Sequence, residues 1–249
     1  MDNLKKYSPK LDLLYQNIEK HLQSKHFIYS YHQAHGVRIV KELLLYKGWK
    51  QIDRRIISKC FKNGNDIFKN DFKLEINLDF INEFMRFSKN NFLVLDSYTS
   101  SKKIEILAQQ LYNLPINKNG DFIRIFLVNR RYKEGISLLD TNYVHILEPP
   151  INMSDKNQII GRVIRYCSHN RLPFPNKWFV KVYVYYTTFA NDNKIETEQR
   201  KQKEMDKQLP HIESKKVESK KVESKKVESK KVLDKELQEI ELDRELRER

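Results

Sequence analysis

The 249 residues carry 47 Lys and Arg against 33 Asp and Glu, a formal net charge of +14, with 39% apolar residues and only six Gly and seven Pro. That length suffices for a buried core in one domain or two, and the two distant cysteines, Cys60 and Cys167, suit a reducing compartment better than a disulfide framework. No apolar run approaches the ~20 residues of a membrane span, and the opening MDNLKKYSPK lacks the apolar stretch of a secretory signal, so a soluble intracellular protein is expected.

In chain order, 26–31 (HFIYSY) reads as a short buried strand, followed by Gly36 and a helical pattern in which Val37, Val40, Leu44 and Leu45 share a face. The stretch 51–90 is rich in Lys, Asn, Asp and Phe and breaks the rhythm. It is expected to be an insertion with short helices of its own, such as 79–87. A second strand is expected at 92–95 (FLVL), then a helix over 104–112 after the Ser-rich 97–101. The runs 122–128 (FIRIFLV) and 143–147 (YVHIL) give a third and fourth strand. The segment 155–166 reads as a helix with Ser154 or Asp155 as N-cap, and 178–187 as a further strand.

Strands separated by helical patterns require crossover connections, hence an α/β fold with a mostly parallel sheet and helices on both faces. In such folds ligands lie at the carboxyl ends of strands. The expected domain spans 1–190, followed by a charged helical or disordered tail at 191–249. In that tail ESKKV occurs four times in register, at 213–217, 218–222, 223–227 and 228–232. A five-residue step turns a helix by roughly 140°, so the valines spiral around it and build no core. Leu233, Leu237 and Ile240 then fall at helical spacing, a solvated helix or a short partner-binding one. The basic excess belongs to the folded part: residues 1–190 hold 30 Lys and Arg against 17 Asp and Glu, the tail 17 against 16. Such an excess suits a polyanionic partner, DNA or RNA.

One constellation carries chemistry. Gln158-Ile-Ile-Gly161-Arg162-Val-Ile-Arg165 fits the pattern Q-x-x-G-R-x-x-R. At spacings of four and three, Gln158, Arg162 and Arg165 are expected on one helix face, and Gly161 lets that helix approach another backbone closely. Two guanidiniums one turn apart can grip the oxygens of a transferring phosphoryl group, where charge accumulates in the transition state. The bland alternative, a solvated arginine-rich helix, conflicts with Ile159, Ile160, Val163 and Ile164 on the same segment. The two cysteines cannot build a zinc site alone, and a Cys/His set including His169 is not expected.

The run 143–169, YVHILEPPINMSDKNQIIGRVIRYCSH, resembles the C-terminal, second RecA-like domain of superfamily 2 helicases. It is most similar to the helicase-like ATPases and early transcription factors of poxviruses and other large DNA viruses. Upstream, Glu134-Gly135-Ile136-Ser137 falls where that family carries its fifth motif, and Phe27 to Tyr31 with Gly36 near the fourth. The resemblance covers about residues 8–190 and is densest at 143–169. It implies a RecA-like fold in which Arg165 is the arginine finger, Arg162 assists at the γ-phosphate and Gln158 couples the two motor domains. Gly135, Ser137 and Gly161 would lie near the nucleotide, and Ser97, Tyr98 and Thr99 would touch the nucleic-acid backbone. Asn129-Arg130-Arg131-Tyr132 departs from the Ser or Thr and small residues usual there. Arg130 and Arg131 instead become candidates for direct phosphate contact.

No G-x-x-x-x-G-K-[ST] loop and no D-E-x-x motif on a plausible strand occurs in the sequence. The phosphate loop cradles the β- and γ-phosphates and helps to position magnesium; in the family it belongs to the first motor domain. The chain is therefore expected to begin at the second domain and to be inactive alone. ATP and Mg2+ are expected only if a P-loop ATPase domain completes the site in trans. The alternatives are a non-catalytic module that binds nucleic acid or the transcription machinery, and a gene fragment without function. A viral origin would put the protein in the host cytoplasm or the virion.

Overall fold

The computed structural model describes residues 4–62, 75–95, 101–133 and 135–187. The chain divides into the units Met1–Thr187 and Thr188–Arg249, and all described residues belong to the first. The 191–249 tail with its ESKKV repeats therefore lies outside the described residues, as do Ser97, Tyr98 and Thr99.

Six strands make one sheet: β1 (Lys25–Ser30), β2 (Lys50–Gln51), β3 (Asn91–Leu95), β4 (Ile125–Asn129), β5 (Thr141–Ile146) and β6 (Lys181–Val184), in the order β2-β3-β4-β1-β5-β6. Every pairing is parallel, so each link must cross a face of the sheet. The helices α1 (Leu4–Tyr7), α2 (Pro9–Glu19) and α3 (Arg38–Tyr46) cover one face. The opposite face carries α4 (Arg54–Lys59), α5 (Leu78–Phe87), α6 (Lys102–Tyr112) and α7 (Met153–Ile160). This is the α/β architecture the alternation of patterns implied. Along each strand side chains alternate between the two cores: Phe27, Tyr29, Phe126 and Val128 enter one, Ile28, Ile125 and Leu127 the other.

Boundaries differ from the sequence reading where side chains compete with the ladder. Asn117 accepts from the backbone N–H groups of Phe122 and Ile123, both at 2.9 Å, and donates to the carbonyls of Tyr112 and Ile123 at 2.9 and 3.0 Å. Those bonds hold 122–123 in a turn, so β4 starts only at Ile125. The edge strand β2 has just two residues, too short for a periodicity to register. The described parts of 51–90 form α4 and α5, the latter capped by Asn77, which accepts from Phe80 N at 3.1 Å. Their Ile57 and Ile81 enter the same core as Cys60 and Phe61.

Buried polar groups tie the strands across the sheet. His26 donates through Nε2 to the His21 carbonyl (3.1 Å), which leaves Nδ1 to accept from Nε2 of His145 (3.0 Å). His145 Nδ1 then accepts from the Tyr185 hydroxyl (2.8 Å), which accepts from Asn17 Nδ2 (3.1 Å). Each ring thus has one fixed neutral tautomer. Burial pushes His26 down to about 3 and His145 well below its ordinary value. In the unfolded chain both would titrate near 6.5, so their contribution is complete above that pH and is lost as pH falls through 6.5 toward about 3. The urea-unfolding midpoint is expected to drop between pH 6.5 and about 5, above the range where carboxylates titrate. Replacing both His26 and His145 with Gln should flatten that part of the profile, and an unchanged slope would rule the pair out as its source.

Candidate functional site

The link from β1 runs to α3 on one face, whereas the link from β5 runs to α7 on the other. Where adjacent strands send their chains to opposite faces, a crevice opens at their carboxyl ends. A cavity of about 560 Å3 lies there, lined by Tyr29, Tyr31 and His32 from β1 and beyond, Arg130 and Arg131 after β4, Glu148 to Ile151 after β5, and Asp155 and Ile159 of α7. Glu148 fixes its rim: Oε1 accepts from Ser30 Oγ at 3.1 Å and Oε2 from Tyr31 N at 2.8 Å. Arg130 donates to the Tyr31 hydroxyl at 3.0 Å with its guanidinium 5.2 Å from the ring centre. Burial, then the charges of Asp155 and Glu148, push the Tyr29 phenol up to about 12.

The second constellation lies at the end of α7. This helix begins at Met153, capped by Asn152, whose Oδ1 accepts from Asp155 N at 2.8 Å; the cap is neither Ser154 nor Asp155. It ends at Ile160 with Gly161 as C-cap. Residues 162–164 continue as tight turns, with Arg162 N to Ile159 O at 3.2 Å and Val163 N to Ile160 O at 2.9 Å, and Cys167 takes a φ of 59°. The expected helix over 155–166 is thus shorter, and Gln158 and Arg165 do not share a helix face.

What joins the two arginines is a carbonyl. Arg162 Nη1 and Arg165 Nη2 both donate to Ile136 O, at 3.5 and 3.2 Å, while their Nε atoms donate to Gln158 O (3.1 Å) and Gly161 O (3.3 Å). Ile136 follows Gly135, exposed at a φ of 85° that favours glycine. Ser137 is held from α6: its N donates to Gln109 Oε1 at 3.3 Å and its O accepts from Asn113 Nδ2 at 2.8 Å. A cavity of about 150 Å3 adjoins, lined by Lys102, Glu105, Gln109, Arg131, Gly135 and Ile136 among others. The side-chain oxygen of Gln158 is buried and accepts no hydrogen bond among the described residues.

The structure therefore gathers Arg162, Arg165, Gly135, Ser137 and Gly161 at one place and puts Arg130 and Arg131 at the crevice. Of the other groups weighed from the sequence, His169 has both ring nitrogens engaged, by Ser168 Oγ and Thr141 O, each at 2.8 Å. Cys60 is buried with its thiol pushed up to about 12. Tyr31 and Glu148 are not among the expected site residues, although Tyr31 ends the expected strand 26–31 and Glu148 directly follows the expected strand 143–147. Among the described residues no helix is long and apolar enough to cross a membrane.

No protein-family model matches the chain. The termination factor NPH-I homolog of African swine fever virus (isolate Tick/Malawi/Lil 20-1/1983) is 28% identical over 186 residues, covering 72% of this chain and 26% of that protein. A candidate ATP-dependent RNA helicase of Acanthamoeba polyphaga mimivirus, R563, is 43% identical over 75 residues, 30% of this chain and 13% of that protein. A second from the same virus, L538, is 32% identical over 114 residues, 41% of this chain and 25% of that protein. The chain thus spans about a quarter or less of the length of these relatives. Among solved structures, the C-terminal part of the Fun30 ATPase domain aligns with a TM-score of 0.44 at 17% identity, over 70% of this chain and 40% of that one.

The crevice rim depends on one glycine. A Cβ on Gly36 would stand 1.7 Å from Ser30 Oγ and 2.8 Å from Ser30 Cβ. Gly36→Ala is expected to displace Ser30 from Glu148 and to cost about 1–3 kcal/mol through overpacking, read as a lower denaturation midpoint. A midpoint equal to wild type would mean that β1 and α3 can separate freely.

Proposed function

From a helicase-family domain whose homologues are viral helicase-like proteins, we infer a specific role: it is the second motor domain of a nucleic-acid-dependent ATPase and supplies the arginine finger. Arg165 is the finger, Arg162 assists at the γ-phosphate, and Gln158 couples the domains. Gly135, Ser137 and Gly161 lie beside the nucleotide. ATP and Mg2+ are held only when a first motor domain, such as a P-loop ATPase acting in trans, brings the phosphate loop. DNA or RNA is the activating partner, and Arg130 and Arg131 bind its phosphates.

The observation that carries this reading is the convergence of two guanidiniums on the Ile136 carbonyl, beside an exposed glycine turn. A neutral carbonyl is a modest acceptor. An ionised phosphoryl oxygen adds full opposite charge and suits the bidentate fork of a guanidinium, so an incoming γ-phosphate can recruit both side chains from a position already close to their use. Arg165 is exposed and half-held, as a residue acting on another domain's ligand must be. The chain is to be mixed with first-domain proteins that carry a phosphate loop, and nucleic-acid-stimulated ATP hydrolysis measured. A rise above the partner's own rate is expected, with Arg165→Ala lowering the stimulated rate by about a thousandfold or more, the usual weight of an arginine finger. Arg165→Lys should not restore it, because an ammonium lacks the planar fork. No rise with any such partner would overturn the reading.

The basic excess and the crevice arginines support a second reading, a non-catalytic module for nucleic acid or the transcription machinery. It predicts steeply salt-dependent binding to single strands or duplexes that Arg165→Ala leaves intact. Failure to bind at low salt as well as high would remove it.

A further inference from the structure

We propose that the crevice at the carboxyl ends of β1, β4 and β5 receives one unstacked nucleobase of a single strand, with the sugar-phosphate chain lying along Arg130 outside it. This rests on the nucleic-acid reading above and deepens it from backbone contact to base capture.

The cavity of about 560 Å3 is of the size that small planar ligands occupy. Its walls divide by chemistry. Tyr31, 43% exposed, offers an aromatic ring, and Pro149, Pro150 and the 89%-exposed Ile151 offer apolar surface at the same opening. Glu148 and Asp155 put carboxylates in the lining, and Glu148 is locked by Ser30 and Tyr31, one bond to each oxygen. Each carboxylate oxygen has a second lone pair, so Glu148 can still accept from the amino or imino edge of a base.

The same carboxylates decide against a phosphate inside. Two carboxylates in the lining repel an anion; of the two arginines there, Arg131 is drawn to Glu105 at 3.6 Å, which leaves Arg130 beside Tyr31 to attract one. A nucleotide enters such a site base first, neutral ring within and phosphate at the rim. Arg130 is already bonded to the Tyr31 hydroxyl and placed over its ring, so the stacking surface and the phosphate ligand form one unit. Base stacking on aromatic side chains and arginine is what gives single-strand binders affinity beyond charge.

The test uses the full chain and two oligonucleotides of about twelve units, within the usual site sizes of single-strand binders. One is entirely abasic; the other carries a single central guanine. Fluorescence anisotropy at low salt is expected to show the guanine strand binding about tenfold tighter, the usual worth of one stacked base. Tyr31→Ala should erase that gap between the two strands, and Tyr31→Phe should keep it, since the ring remains. Equal affinity for the two strands in wild type overturns base capture and leaves the nucleic-acid reading standing. A gap that survives Tyr31→Ala overturns the placement in this crevice. Binding to neither strand overturns both readings.

Discussion

The fold hangs on the burial of β1. All six of its residues are inaccessible, and three of them, Lys25, His26 and Ser30, are polar. A buried polar group without a partner costs more than a hydrogen bond returns, so each must be answered from elsewhere. Lys25, whose pKa burial drives well below its ordinary value, donates to the carbonyls of Tyr112 and Leu139, both at 2.8 Å. Its ammonium also lies 3.8 Å from the Tyr112 ring centre. His26 leads through His145 and Tyr185 to Asn17. The Ser30 hydroxyl shares its one proton between Glu148 Oε1 and the His32 carbonyl, at 3.1 and 2.9 Å. The central strand thereby fixes α6, the chain entering β5, the far edge of the sheet and the rim of the crevice. Nearby, Arg171 pairs with Asp140, a buried carboxylate on a positive-φ residue at the start of β5.

Why the strands at 26–31, 92–95 and 143–147 were legible in the sequence follows from the same burial. A parallel strand covered on both faces reads as an apolar run bounded by turn residues; 92–95 does so without a break, while 26–31 and 143–147 do so around the buried His26, Ser30 and His145. The exceptions have local causes. Phe122 and Ile123 continue such a run but are captured by the side chain of Asn117, five and six residues earlier, in bonds that no periodicity encodes. β2 is two residues long and exists because Lys50 N and Ile52 N donate to the carbonyls of Asn90 and Phe92, at 2.9 and 2.8 Å. The helix after β5 looked longer because Ile159, Ile160, Val163 and Ile164 keep a helical period past Gly161. A Cβ at Gly161 would meet Asn157 O at 3.0 Å, a tight contact at the place where the helix gives way to turns.

The candidate site was legible as a set of residues but not as a geometry. Gln158, Arg162 and Arg165 stood out by spacing. The spacing was read as a shared helix face, whereas the arginines meet through a carbonyl 26 residues before Arg162 and 29 before Arg165. Only tertiary structure can supply that partner. Tyr31 and Glu148 fall inside segments that carry the resemblance, 27–31 and 143–169, but neither stands out there as a site residue. Their importance is topological: the divergence of the β1 and β5 connections makes the ends of those strands a crevice whatever residues stand there.

The β4–β5 connection belongs to both constellations. Its start, Arg130 and Arg131, lines the large crevice, and its middle, Gly135 to Ser137, bears the carbonyl that holds Arg162 and Arg165. It is also strapped on two sides, to α6 through Gln109 and Asn113 and to the 161–165 turns through Leu138 N and Arg162 O at 2.9 Å. Tyr132, through Glu105 Oε1 at 3.0 Å, and Ser137, through Gln109 and Asn113, are both anchored on α6, and packed anchors on one helix do not shift independently. A ligand that moved Arg130 would therefore disturb the carbonyl on which the two guanidiniums rest, and a phosphate that drew the guanidiniums away would release Ile136 from its two donors. By linkage the two effects are of equal size in binding free energy. A fold in which one short connection touches both the crevice arginines and the paired guanidiniums is physically suited to make occupancy of the crevice and arginine positioning depend on each other, without any path through the core of the sheet.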